Sequence, residues 1–115
     1  MPERIVLRDL FGERQDFSAF AWEPFRPGVE IARIYGDGKS GPAAALLRYA
    51  PGARVPLHDH FDYEHIIVLR GAQSDDHGRY GAGSVLIHGD ETSHAVMSEE
   101  GCVVLAIWNT PIRFR

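Results

Sequence analysis

Cysteine is almost missing from this chain of 115 residues: Cys102 stands alone, so no internal disulfide can staple the fold. A reducing compartment, the cytoplasm, suits such a protein. Long hydrophobic runs are missing as well. The longest, CVVLAIW at residues 102–108, falls far short of the roughly 20 apolar residues that span a bilayer, which argues against a membrane protein. The opening MPERIVLRDLFGERQ breaks up its apolar residues with charges and leaves no apolar core for a signal peptide. Basic residues are in deficit, 12 against 16 acidic ones, so there is no positive footprint for phosphates and nucleic acid is not expected as a partner. Cys102, beside Val103, reads as a buried apolar thiol, and no spacing of Ser, His and Asp suggests a hydrolase triad. GDGKSGP at residues 36–42 lacks the strand-to-helix setting of a phosphate loop.

What is abundant is turn chemistry. Twelve glycines and seven prolines favour many short elements over long helices, and no stretch has convincing amphipathic helical periodicity. Val29, Ile31, Arg33 and Tyr35 alternate with Glu30, Ala32 and Ile34, the period of a strand. A glycine-rich hairpin loop over residues 36–42 leads to a second strand over 43–49, flanked by Pro42 and Pro51. Further short runs follow at Ile66, Ile67, Val68 and Leu69, at 85–88, at Ala95, Val96 and Met97, and at 102–108, with turns between them. The first twenty residues suit a short strand or a helical turn equally. About eight short strands at close spacing predict an all-β sandwich or barrel in a single domain. Two of the runs, at 66–69 and 103–108, are apolar on both faces, so something must cover the second face. Either the N-terminal segment or a partner subunit would serve, and a homodimer is the expectation.

Chemistry concentrates in GARVPLHDHFDYEHIIVLRG, residues 52–71. His58 and His60 stand two apart, so on a strand their imidazoles leave the same face about 7 Å apart at Cα. Glu64 follows after a bend through Phe61, Asp62 and Tyr63 and opens an apolar strand ending at Gly71. A carboxylate from a neighbouring strand thus joins the histidine pair.

The intervals Gly52, five residues, His58, one, His60, three, Glu64, six, Gly71 reproduce the first sequence motif of the cupin superfamily, which this stretch resembles. The second cupin motif is matched in part, by Gly83 and His94. Gly89 stands where that motif has proline, Glu91 where it has glycine and Ser98 where it has asparagine. The resemblance implies a metal site of His58, His60, Glu64 and His94 within a double-stranded β-helix, the jelly-roll β-barrel. Three imidazoles and a carboxylate suit a divalent ion such as Fe, Zn, Mn or Ni. WEPFRPGVEI, DGKSGPAAALLRYAPGARVPLHDH and GRYGAG look more narrowly like the ChrR-like cupin family, named for the C-terminal domain of a zinc-binding anti-sigma factor. On that likeness residues 1–21 form an N-terminal segment and 22–115 the cupin barrel. The 21 residues before Trp22 hold no cysteine for the zinc ligands of the family's sigma-gripping domain, so the resemblance implies the cupin half alone.

Two functions follow from the resemblance. One is a metal-dependent, iron-type oxygenase acting on a small organic substrate such as a diketone or aromatic ketone. The alternative is a non-catalytic ligand-sensing or regulatory cupin with a structural zinc. A sugar-phosphate isomerase ranks below both, because the basic pocket it needs is not evident. Tyr63, Arg48, Phe25 and Trp108 are candidates to line a small-molecule pocket, although such side chains in a small barrel are more often core. His65 should face away from Glu64, His77 falls in a polar turn, and His88 falls at the cavity or its rim with no role assigned.

Overall fold

The computed structural model describes residues 4–12, 15–60, 62–89 and 92–110, with the backbone of 113–114. Phe61 of the bend before Glu64 and Glu91 of the second motif lie outside the described residues. Among the described residues, ten antiparallel strands form the fold: β1 (Glu23–Arg26), β2 (Val29–Tyr35), β3 (Ala43–Tyr49), β4 (Ala53–His60), β5 (Glu64–Asp75), β6 (Gly78–Gly81), β7 (Val85–His88), β8 (Thr92–Ser98), β9 (Cys102–Trp108) and β10 (Arg113–Phe114). This is the expected all-β double-stranded β-helix. The strand total exceeds eight because short β1, β6 and β10 pair on the edges of longer neighbours. No helix among the described residues is long and apolar enough to cross a membrane.

The strands run in the order β1-β2-β3-β9-β5-β8-β4-β10, with β7 and β6 also paired to β5. β5 is the hinge of this arrangement. Its first half pairs with β9 and β7, and its second half with β6 and β8. The sequence suggests a strand ending at Gly71, whereas the strand runs on to Asp75. Gly71 bends it instead, at φ 73°, where an added Cβ would overlap the Gly101 carbonyl oxygen. Only glycine combines that backbone angle with so close an approach. Likewise β8 extends past the three residues Ala95, Val96 and Met97, and so carries His94 in a regular strand.

Two apolar clusters lie on opposite faces of the sheet formed by β2, β3, β9 and the first half of β5. The inner one, with Val29, Ile31, Leu47, Val68 and Val104, fills the barrel. The outer one joins Ala32, Leu46, Leu69 and Val103 to Phe17, with Leu10, Phe20 and Trp22 packed against it. The N-terminal segment is therefore a cover for the second apolar face. It folds as a short 3-10 turn over Phe17–Ala19, capped by Asp16, and is pinned by the Trp22 indole N–H donating to the Phe17 carbonyl at 2.6 Å. Arg70 lies over the Phe17 ring and Arg48 over Trp22, placing cations on aromatic faces.

Candidate metal centre

Three strands of the barrel bring the four proposed ligands together. β4 supplies His58 and His60, β5 supplies Glu64, and β8 supplies His94, which is the direct cross-strand partner of His58. A bulge makes this possible. On β4, Val55 and His58 both line the barrel cavity although three positions separate them, and strict alternation would send them to opposite faces. The register with β8 shifts between those two residues. Pro56, which has no N–H to give to a ladder, sits within that shift, as proline in strands usually must.

One ligand atom from each of His58, His60, Glu64 and His94 lies within 4.8 Å of the others. The His60 Nε2 is 3.1 Å and the His94 Nε2 3.7 Å from Glu64 Oε1. Ligand atoms about 2.1 Å from a common ion stand roughly 3 to 4 Å apart, so a slight contraction fits these four around one ion. His58, His60 and Glu64 are buried and His94 nearly so. The His60 Nε2 is enclosed with no hydrogen bond, the condition of a nitrogen whose partner is an ion.

Hydrogen bonds fix the tautomers. The His58 Nδ1–H donates to the Pro56 carbonyl at 2.8 Å, which puts its lone pair on Nε2. The His60 Nδ1 is 3.1 Å from Thr92 Oγ1, and that hydroxyl already donates to the Gly89 carbonyl at 2.6 Å. Thr92 must therefore accept from His60 Nδ1–H, so His60 also turns its lone pair to the cluster. Such outer contacts orient imidazoles at metal sites. Burial holds the His58 imidazole below its ordinary pKa. Burial, together with the neighbouring His88, His58 and His60, pushes His94 down to about 2. Neutral rings are the form that binds an ion.

His88, expected at the cavity or its rim with no role, packs against the cluster itself. Its ring stacks on His60 with centroids 5.2 Å apart and meets His94 edge-on at 4.1 Å, while its Nε2 is enclosed without a partner. Its place follows from β7 pairing, since His88 is directly opposite Glu64. Thr92 gave no signal in the sequence, because nothing about a threonine beside a turn announces a contact with His60. His65 faces the outer side of β5 and His77 is exposed, neither in the cluster. Of the four candidate pocket residues, Phe25 and Trp108 line the cavity. Tyr63 is exposed, and Arg48 pairs with Glu30 outside the barrel. Cys102 is buried, and burial pushes its thiol up to about 11.

Beside the cluster lies a cavity of about 230 Å³, and His58, Glu64 and His94 are among the residues that line it. The ChrR cupin-like domain family matches residues 12–110. The chain belongs to this family. It is 40% identical over 111 residues to the anti-sigma-E factor ChrR of Cereibacter sphaeroides, a stretch that takes in 94% of this chain and 50% of that protein. ChrR in the crystal structure of its complex with Rhodobacter sphaeroides SigE superposes with a TM-score of 0.72 at 31% identity, over 82% of this chain and 51% of that one. The chain thus spans about half the length of these ChrR-family relatives. An acetylacetone dioxygenase from Acinetobacter johnsonii superposes with a TM-score of 0.76 over 99% of this chain and 78% of that one. At 13% identity that likeness is one of fold.

Proposed function

We propose that this ChrR-family cupin is a regulatory, non-catalytic module that holds a divalent ion, with zinc the leading metal, and reports on the state of that site to a protein partner. The observation that carries this reading is the 40% identity to an anti-sigma factor across 94% of the chain. The donor set agrees with it. Four protein ligands complete the tetrahedral shell of a structural zinc, while a catalytic zinc keeps a position open. A bound ion there would supply fixed positive charge. His58 and His60 on β4, Glu64 on β5 and His94 on β8 would then be held to a common point, so the site's integrity and the packing of three strands are linked. A sigma factor is the first partner to test.

The runner-up is an iron-type oxygenase of small ketones, favoured by the cavity that opens beside His58, Glu64 and His94. A six-coordinate ion with the same four ligands keeps two positions for other groups. Oxygen-electrode assays after anaerobic Fe(II) loading, over a panel of diketones and aromatic ketones, separate the two. The regulatory reading predicts no uptake above the background of free Fe(II). Sustained uptake, lost in Glu64→Gln, would replace it with the oxygenase.

A further inference from the structure

Of the three candidate histidine ligands, His94 is the one whose outer nitrogen has no partner. The His58 Nδ1 reaches the Pro56 carbonyl at 2.8 Å and the His60 Nδ1 reaches Thr92 Oγ1 at 3.1 Å. The His94 Nδ1, by contrast, is enclosed without a hydrogen bond. Its Nε2 is the nitrogen that faces Glu64, 3.7 Å from Oε1. A neutral imidazole that gives its Nε2 lone pair to an ion keeps its proton on Nδ1, so the enclosed atom is a donor in need of an acceptor.

A second enclosed nitrogen lies alongside. His88 Nε2 has no hydrogen-bond partner either. The His88 ring is nearer to His94 than those of the other two histidines, with centroids 4.1 Å apart against 4.5 Å for His58 and 4.6 Å for His60. Their planes meet at 67°, so the rings touch without one nitrogen facing the other. His58 and His60 have both nitrogens committed, Nδ1 to the outer contact and Nε2 to the ion, which leaves His88 as the imidazole with a lone pair to offer. The χ2 torsion of histidine is broad, so the turn that aligns the two nitrogens is inexpensive, whereas a buried donor and acceptor left apart each forfeit their hydration. We propose that His88 is a positioning residue of the metal centre: its Nε2 accepts the hydrogen bond of His94 Nδ1–H, so that each histidine ligand is aimed at the ion by a partner of its own. His88 stands outside the group of four whose atoms converge, and acts through His94. This rests on the reading of that group as an ion site, and it gives β7 a part in holding the ion.

NMR of the full chain, labelled with 15N at its histidines and loaded with zinc, tests it. A nitrogen–nitrogen coupling across the hydrogen bond should join His94 Nδ1 to His88 Nε2, a signal that packing alone does not produce. Two variants then separate the ring from the acceptor. His88→Phe keeps a ring and removes the acceptor, while His88→Gln gives up the ring and returns an amide oxygen. Outer partners of this kind are worth about 10- to 100-fold in metal affinity, so in competition against a chelator His88→Phe should lose at least about tenfold and His88→Gln should regain most of it. No coupling in the wild type, a His88 Nε2 shift typical of a metal-bound nitrogen, or His88→Gln no better than His88→Phe would each overturn the proposal. Because the wild-type coupling is decisive by itself, a variant that fails to fold does not shelter it. A wild type that takes up no zinc would sink the ion reading and the positioning role together, whereas a zinc-loaded wild type without the coupling would sink the role of His88 alone.

Discussion

Thr92 occupies a position where one atom settles the orientation of a candidate ligand, His60. Its hydroxyl donates to Gly89 and accepts from His60 Nδ1–H, so the His60 lone pair has only one direction left. Thr92→Val keeps the shape and removes both bonds. Because outer-shell partners of this kind are worth about 10- to 100-fold in metal affinity, competition against a chelator should show a loss of at least tenfold, with circular dichroism unchanged. An affinity equal to wild type would remove Thr92 from the site. Cys102 makes a separate prediction. With its thiol buried and raised from 9.0 to about 11, it should resist alkylation at pH 8 until the protein unfolds. The sign of the linkage follows: burial of the neutral thiol contributes stability fully below pH 9, and that contribution is lost as the pH climbs from 9 through 11. Denaturation midpoints across that window, in wild type and Cys102→Ala, measure it.

Among the strands, β5 controls the shape of the barrel, because its two halves belong to different sheets and Gly71 turns one into the other. Gly71→Ala combines a positive φ with an overlap against the Gly101 carbonyl. It should cost about 2 kcal/mol or more in denaturant unfolding, and a loss below about 0.5 kcal/mol would show that the bend yields easily. The same strand explains what the sequence could and could not convey. That His58, His60, Glu64 and His94 come together was legible because their intervals form a motif, and β2, β3, β7 and β9 because alternation or flanking breakers mark them. Which residues enter the cavity was harder to read, since alternation fails at bulges. Counting in twos from Glu64 sends Gln73 outside, yet the register shift between Val68 and Arg70 carries it inside. The sequence put His88 at the cavity or its rim but not against the histidine rings, for another reason. Its nearness to His60 and His94 depends on β7 pairing with β5 opposite Glu64, a long-range register that local pattern does not encode.

For the whole molecule, the inner cluster fills the barrel, the N-terminal segment covers the outer face of the sheet, and the four candidate ligands from three strands meet at one point. Every functional reading depends on that last feature. Elemental analysis of protein purified without added metal tests it most directly, comparing wild type with His58→Ala and His94→Ala. The prediction is one divalent ion per wild-type chain and a small fraction of that in both variants, with the strand signature in circular dichroism retained. Wild-type protein as poor in metal as the variants, or variants that keep a full ion, would contradict it.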